Sequence, residues 1–306
     1  MLVTGASGFI GRRTLPLLLE RGFEVHAVHH RGERGQTPGV EWHRADLLVS
    51  EELEPLIDLV RATHLLHLAW YAVPRLYWDA PENTRWLEAS LRLVERFATS
   101  GRRAVLAGTC AEYDWSFGYC SEHVTPLRPT TLYGTSKHKL HGLAAALSER
   151  LGLSLAWARL FFLYGPGEDP DRLVPSVVRA LLRGEAAPCS EGSQVRDFLH
   201  VDDAAWALVR LLESKVEGPV NIASGRPVGL RELLLRIGEA VGTPELLEFG
   251  KVPLRPGEPP LLVADVRRLA NEVGWEQRWT LQTGITETVE WWRDALRQER
   301  DKVRDV

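Results

Sequence analysis

The stretch Leu2-Val3-Thr4-Gly5-Ala6-Ser7-Gly8-Phe9-Ile10-Gly11 decides how the chain is read. A short apolar run ends in a turn with glycines three apart, and an amphipathic run follows from Gly8 to Arg21 before Gly22. This is the pattern of a strand, a tight turn and a helix. Glycine permits the turn and lets backbone approach a pyrophosphate. The amino end of the helix adds free N–H groups and the positive end of its dipole. Gly5, Ser7, Gly8, Phe9, Ile10 and Gly11 are therefore candidate dinucleotide-binding residues. A plain glycine turn is the alternative.

Further along, Phe23–His29, His64–Trp70, Ala104–Gly108 and Leu153–Phe162 read as strands. Amphipathic stretches at Pro55–Ala62, Trp86–Ser100 and Leu132–Arg150 alternate with them. The alternation predicts an α/β fold, a Rossmann-type doubly wound parallel sheet with helices on both faces. After Gly165-Pro166-Gly167 the texture changes to helical runs (Leu173–Arg183, Ala204–Leu212, Gly229–Val241, Leu281–Asp301) separated by proline- and glycine-containing loops. Residues 1–163 are the expected dinucleotide-binding domain. Residues 164–306 are expected to form mainly a smaller α/β substrate-binding region, with some segments returning to the first domain.

Thirty-seven basic and 41 acidic side chains leave a net charge of -4, which supplies no broad electrostatic reason to bind nucleic acid or an acidic membrane. The apolar run Leu15–Leu19 is too short to span a bilayer. Cys110, Cys120 and Cys189 fit neither a disulfide framework nor a zinc spacing, so a reducing, cytoplasmic location is expected. His26, His29 and His30 alternate along a strand edge without a compact ligand spacing, and no metal is expected.

An acidic residue that grips a ribose hydroxyl belongs about twenty residues beyond the glycines. Here the chain reads His29-His30-Arg31-Gly32-Glu33-Arg34, and no carboxylate ends the strand. His30 and Arg31, the latter helped by Arg34 or Arg12, suit a 2′-phosphate, because guanidinium matches phosphate geometry. NADP is therefore the preferred cofactor. NAD remains possible through Glu33. Asp46-Leu47 is placed to meet an adenine edge, or Asp46 caps a short helix. At Tyr133-Gly134-Thr135-Ser136-Lys137, residues four apart share one helix face. A neighbouring ammonium, with the positive charge of an oxidised nicotinamide, lowers the phenol pKa and makes an acid–base couple. Thr109 ends a predicted strand at the same sheet edge and can bond the same reacting oxygen.

With these motifs, and with His67-Leu68-Ala69, Gly108–Tyr113, Tyr164-Gly165-Pro166, Arg196–Asp203 and Arg255-Pro256-Gly257-Glu258, the chain resembles the extended short-chain dehydrogenase/reductases over nearly its whole length. The likeness is to the NAD-dependent epimerase/dehydratase group. It implies a catalytic trio of Thr109, Tyr133 and Lys137, with Tyr133, Lys137, Leu68 and Ala69 also at the cofactor. It places Arg196 and Arg255 at the diphosphate of a nucleotide sugar, a bidentate task suited to arginine. Tyr71 is a candidate sugar-pocket wall, with packing as its other reading. Dehydratases of the group carry Asp-Glu after the threonine. Cys110-Ala111 stand there, so water elimination is disfavoured. Cys110 and Phe162 are further candidate substrate contacts, Phe162 replacing an asparagine common two residues before Tyr-Gly-Pro. The run Cys110–Trp115 resembles that of 4-keto-6-deoxysugar reductases, including the CDP-abequose synthase type. The expected activity is NADPH-dependent reduction of a nucleotide-linked 4-keto-6-deoxyhexose. The alternatives are an epimerase using the same trio and a non-catalytic NADP-binding sensor. The resemblance also implies a homodimer through the helices at Trp86–Ser100 and Leu132–Arg150.

Overall fold

The computed structural model describes residues 1–30, 37–254 and 257–304, the last three of these without side chains. In chain order its strands are β1 Leu2–Thr4, β2 Val25–His29, β3 Val40–Arg44, β4 His64–His67, β5 Arg103–Thr109, β6 Tyr119–Cys120 and β7 Ser154–Leu160. They continue with β8 Phe162–Tyr164, β9 Ala187–Pro188, β10 Val195–His200, β11 Gly218–Ile222, β12 Pro227–Gly229, β13 Leu247–Glu248 and β14 Leu261–Ala264. The α-helices are α1 Gly11–Glu20, α2 Ser50–Val60, α3 Glu82–Phe97, α4 Leu132–Leu151, α5 Leu173–Leu182, α6 Val201–Glu213, α7 Leu230–Val241 and α8 Leu281–Arg304.

Seven strands form a parallel sheet in the order β11-β7-β5-β4-β1-β2-β3. Parallel strands need crossover helices, which cover both faces and bury the strands, and β5 is accordingly buried at every residue. One apolar cluster lies between the sheet and α1 and α6. It includes Val3, Leu15, Leu18, Ala27, Leu208 and Ile222. A second lies on the other face, with Leu2, Leu53, Leu65, Leu93, Leu140 and Trp157. The strand order reverses between β1 and β4, and a crevice for ligands opens at the carboxyl ends of strands at such a reversal.

The later residues build a smaller sheet, β12-β10-β14-β6 with β8 beside β10, and a two-stranded pair of β13 with β9. Helices α5, α7 and α8 close a third apolar cluster around Val178, Leu233, Ile237 and Val289. One segment from this half, β11, joins the large sheet beside β7. No described helix is long and apolar enough to cross a membrane.

Several boundaries differ from the sequence expectation. Helix α1 begins at Gly11, because the turn first closes with the Gly8 N–H on the Gly5 carbonyl at 3.0 Å. Helix α2 begins at Ser50, with Glu51 and Glu52 in its first turn, and Pro55 lies inside it. Strand β4 stops at His67, three residues short of Trp70.

Gly5 has φ +67°, and a Cβ on Gly11 would lie 2.2 Å from the Gly5 carbonyl oxygen and 2.7 Å from Ala6 Cα. The turn therefore has no room for a side chain at Gly11. Gly11→Ala is expected to destabilise the fold by about 1–3 kcal/mol, as overpacking typically does, in a urea unfolding titration. An unchanged midpoint would show that the turn relaxes freely.

Candidate functional site

The glycine turn lies at the strand-order reversal. Thr4 ends β1 and accepts the Leu68 N–H through its backbone carbonyl at 3.1 Å. A Cβ on Gly5 would meet Leu68 C and Ala69 N at 2.7 Å, so Leu68 and Ala69 lie directly against the turn. Ser7 and Gly8 are exposed, and Phe9 and Ile10 are half-buried. No side chain caps the amino end of α1, and no acidic residue stands in its first turn. The positive end of the helix dipole is thus left for an anion, which fits the pyrophosphate of a dinucleotide.

At the far end of this groove, His30 Nδ1 stands 3.5 Å from Asp46 Oδ2. Asp46 Oδ1 also accepts the Leu48 N–H at 2.9 Å within the loop and does not cap α2, which follows Val49 with no side-chain cap, and Leu47 is buried. Arg31, Glu33 and Arg34 lie outside the described residues. Arg12, considered above as a phosphate partner, instead donates to the Gly167 carbonyl. Arg13 beside it donates to the Pro166 carbonyl at 3.0 Å.

Thr109 ends β5, and Tyr133 lies in the first turn of α4. Thr131 caps that helix by accepting the Gly134 N–H at 3.1 Å. A Cβ on Gly134 would stand 2.4 Å from the Ala111 carbonyl oxygen, so glycine here lets α4 approach the end of β5. Thr109 is consequently brought close enough to Tyr133 to work toward lowering the pKa of its phenol. Lys137, one turn along, is buried. Its Nζ donates to the Ala107 carbonyl at 2.8 Å and lies 3.7 Å from the Trp70 ring centroid.

The electrostatics differ from the sequence expectation. Burial raises the Tyr133 pKa, Tyr77 adds to the rise, and Thr109 only partly opposes it. The phenol stands edge-on to Tyr77, Trp78 and Trp70, with ring centroids at 5.0, 6.0 and 6.5 Å. Desolvation therefore outweighs any help from the lysine in the chain alone. Burial also brings Lys137 down to about 7, partly opposed by Glu112. Below the crevice, His67 bonds Thr4 Oγ1 at 2.6 Å and Ser90 Oγ at 2.8 Å. Burial, with help from Lys137, takes it down to about 3, so it stays neutral.

Sequence reasoning missed the support beneath Thr109. Glu112 is wholly buried. Its Oε1 accepts the Thr109 N–H at 2.8 Å and the Trp157 indole at 2.9 Å, and its Oε2 accepts Arg159 Nε at 3.0 Å. Arg159 also donates to Tyr113 Oη at 3.1 Å, and Tyr113 donates to Asn221 Oδ1 at 2.7 Å. A glutamate and an arginine within apolar runs are the only traces of this network in the sequence.

Of the residues expected at substrate, Cys110 is buried, and burial raises its thiol pKa well above the ordinary value. Arg196 lies over Phe162, 5.6 Å from the ring centroid, and donates to Glu258 at 2.9 Å. Tyr71 is half-buried just after Trp70. Arg255 lies outside the described residues.

The NAD dependent epimerase/dehydratase family matches residues 1–223. The dTDP-4-dehydro-6-deoxy-D-allose reductase of Streptomyces bikiniensis is 30% identical, over 97% of each chain. UDP-glucuronic acid decarboxylase 1 of Xenopus tropicalis is 26% identical, over 98% of this chain and 73% of its own. The solved UDP-glucose 4-epimerase of Thermus thermophilus, in complex with NAD, superposes with a TM-score of 0.84 at 28% identity, covering 96% of this chain and 99% of its own.

Two outcomes are expected. Removing one partner of a buried ion pair strands the other, so Glu112→Leu should cost about 3–5 kcal/mol in urea unfolding. Adding Arg159→Met to it should recover much of that loss, and a strictly additive double variant would mean the pair is not coupled. Second, Lys137 is depressed to about 7 from its ordinary 10.5. Between those values the unfolded chain holds a proton that the folded chain lacks, so stability rises with pH across that window. From pH 7 to 9 the wild type should therefore gain unfolding free energy relative to Lys137→Met. Parallel curves would place the ammonium in water.

Proposed function

The chain belongs to the NAD dependent epimerase/dehydratase family of extended short-chain dehydrogenase/reductases, and on that premise we propose that it reduces a nucleotide-linked 4-keto-6-deoxyhexose with NADPH. The observation that carries the reading is the convergence of Thr109 at the end of β5 with Tyr133 and the buried Lys137 of α4, whose Nζ bonds the β5 carbonyl of Ala107, beside an uncapped helix end suited to a pyrophosphate. Bound nicotinamide dinucleotide supplies a hydride. Gly5, Ser7, Gly8 and Gly11, with Leu68 and Ala69, form its cradle.

Tyr133 donates its proton to the oxygen of the carbonyl as that oxygen becomes an alkoxide. The burial that keeps the phenol protonated suits a general acid. Thr109 bonds the same oxygen and orients it. Lys137, one helical turn from Tyr133, supplies positive charge near that centre when protonated. Trp70, Tyr77 and Trp78 exclude water around the phenol and strengthen these interactions. Arg196 receives the nucleotide diphosphate, with Glu258 orienting its guanidinium in the meantime.

Reduction is favoured over its relatives' other chemistries on three grounds. The reductase from Streptomyces is 30% identical, against 26% for the UDP-glucuronic acid decarboxylase. Cys110 and Ala111 bring no acid or base for elimination, and burial holds Cys110 as a thiol. Among the described residues, β2 ends in His29, with His30 next, and not in a carboxylate that would select the 2′-hydroxyl of NAD, which favours NADP. The likeness to an NAD-bound epimerase supports a second reading, in which the same trio would take and return the hydroxyl proton and bound NAD would supply the hydride acceptor.

The test is a panel of nucleotide-linked 4-keto-6-deoxysugars incubated with NADPH or NADH, with the products identified by NMR. Stoichiometric NADPH oxidation is expected, faster than with NADH. Tyr133→Phe should lose about 10²–10⁴-fold in turnover while still binding cofactor. Isomerised product formed without added cofactor would favour the epimerase. Saturable binding without turnover of any sugar would favour a sensor.

A further inference from the structure

Away from the crevice, three potential metal ligands converge on one face of β2 and β3. His26 pairs directly with Glu41 across the two strands, and His43 lies two residues beyond Glu41, hence on the same face. His26 Nδ1 and His43 Nε2 are 3.0 Å apart. Glu41 Oε2 is 3.5 Å from the first nitrogen, and Glu41 Oε1 is 3.6 Å from the second. Four ligands about 2.0–2.1 Å from a tetrahedral zinc ion lie roughly 3.3 Å from one another. The two nitrogens thus already stand near that spacing, and each has one oxygen of the Glu41 carboxylate within 3.6 Å.

We propose that His26, His43 and Glu41 bind one divalent transition-metal ion of the zinc class, with solvent at its fourth position. Two ring nitrogens at 3.0 Å cannot both carry protons, so at least one already presents a lone pair. The two imidazoles are stacked, with centroids 5.2 Å apart, and their side chains are only 13% and 11% exposed, which holds them in place. Glu41, 62% exposed, leaves an entry path from solvent. The far nitrogen of His26, Nε2, faces Glu24 Oε1 at 3.5 Å. A carboxylate behind a ligating histidine orients the ring and raises its basicity. Two imidazoles with one carboxylate suit zinc, copper or nickel better than calcium or magnesium. The ion would cross-link β3, the edge strand of the large sheet, to β2.

A second cluster of His200, Asp202 and Glu287 is less suitable. Its carboxylates address opposite ring nitrogens, Asp202 at 4.0 Å from Nδ1 and Glu287 at 2.9 Å from Nε2. One ion cannot take the lone pairs on both edges of a ring.

The experiment titrates Zn²⁺ into the full chain in competition with a chromophoric chelator. One ion per chain is expected. His26→Ala and His43→Ala should each weaken binding by about 100-fold or more, and Glu24→Gln by about 10-fold, the lower end of the loss when an outer partner is removed. Glu41→Gln should weaken it by at least about 10-fold. Being exposed, this substitution keeps the test valid should either histidine variant fail to fold. Glu287→Gln should leave the affinity unchanged. No saturable binding, or an affinity indifferent to Glu41→Gln, overturns the proposal. So does an affinity that falls with Glu287→Gln.

Discussion

The Glu112 carboxylate is the interaction on which the architecture of the site depends. It is sealed from water and accepts hydrogen bonds from the backbone of Thr109, the indole of Trp157 and the guanidinium of Arg159. A charge so deeply buried is tolerable only when paired and hydrogen-bonded. The pairing here ties the last residue of β5 to two residues of β7. From Arg159 the chain of bonds passes through Tyr113 to Asn221 on β11, whose amide donates to the carbonyls of Cys120 and Asp265 at 3.0 Å. One network therefore sets the Thr109 backbone, braces the end of the large sheet and reaches the smaller one. Polar networks of this kind restrict a core to one arrangement more sharply than apolar packing does, because every alternative leaves a donor or acceptor unsatisfied.

Much of the fold was legible because its signals are local. The turn at Gly5–Gly11 carries its own steric logic, and the alternation of buried strands with amphipathic helices announces a parallel sheet. The failures were local too. Pro55 read as a helix start, yet α2 opens five residues earlier, where Glu51 and Glu52 favour a first turn. The run His64–Trp70 read as one strand, yet the chain leaves the sheet after His67, and the next residues pass beside the glycine turn.

The residue types of the site were legible, but their surroundings were not. A helix spacing puts Tyr133 and Lys137 on one face, and it says nothing about three aromatic rings packed around the phenol. In the chain alone, the burial these rings provide raises the tyrosine, and burial lowers the lysine. The partner of Glu112 is 47 residues away. His26 and Glu41 become neighbours only through strand register. Contacts made across strands leave no periodic trace along the chain, and they account for most of what sequence reasoning could not reach.

The return of β11 to the large sheet has a practical consequence for recombining such enzymes. A chimera made by one crossover near Tyr164 would take residues 218–222 from the second parent and lay them against β7 of the first. Asn221 would then have to satisfy a tyrosine and a backbone carbonyl, those of Tyr113 and Cys120, that evolved elsewhere. Specificity swaps in this architecture are better made as two-crossover grafts that leave this strand with its original partners.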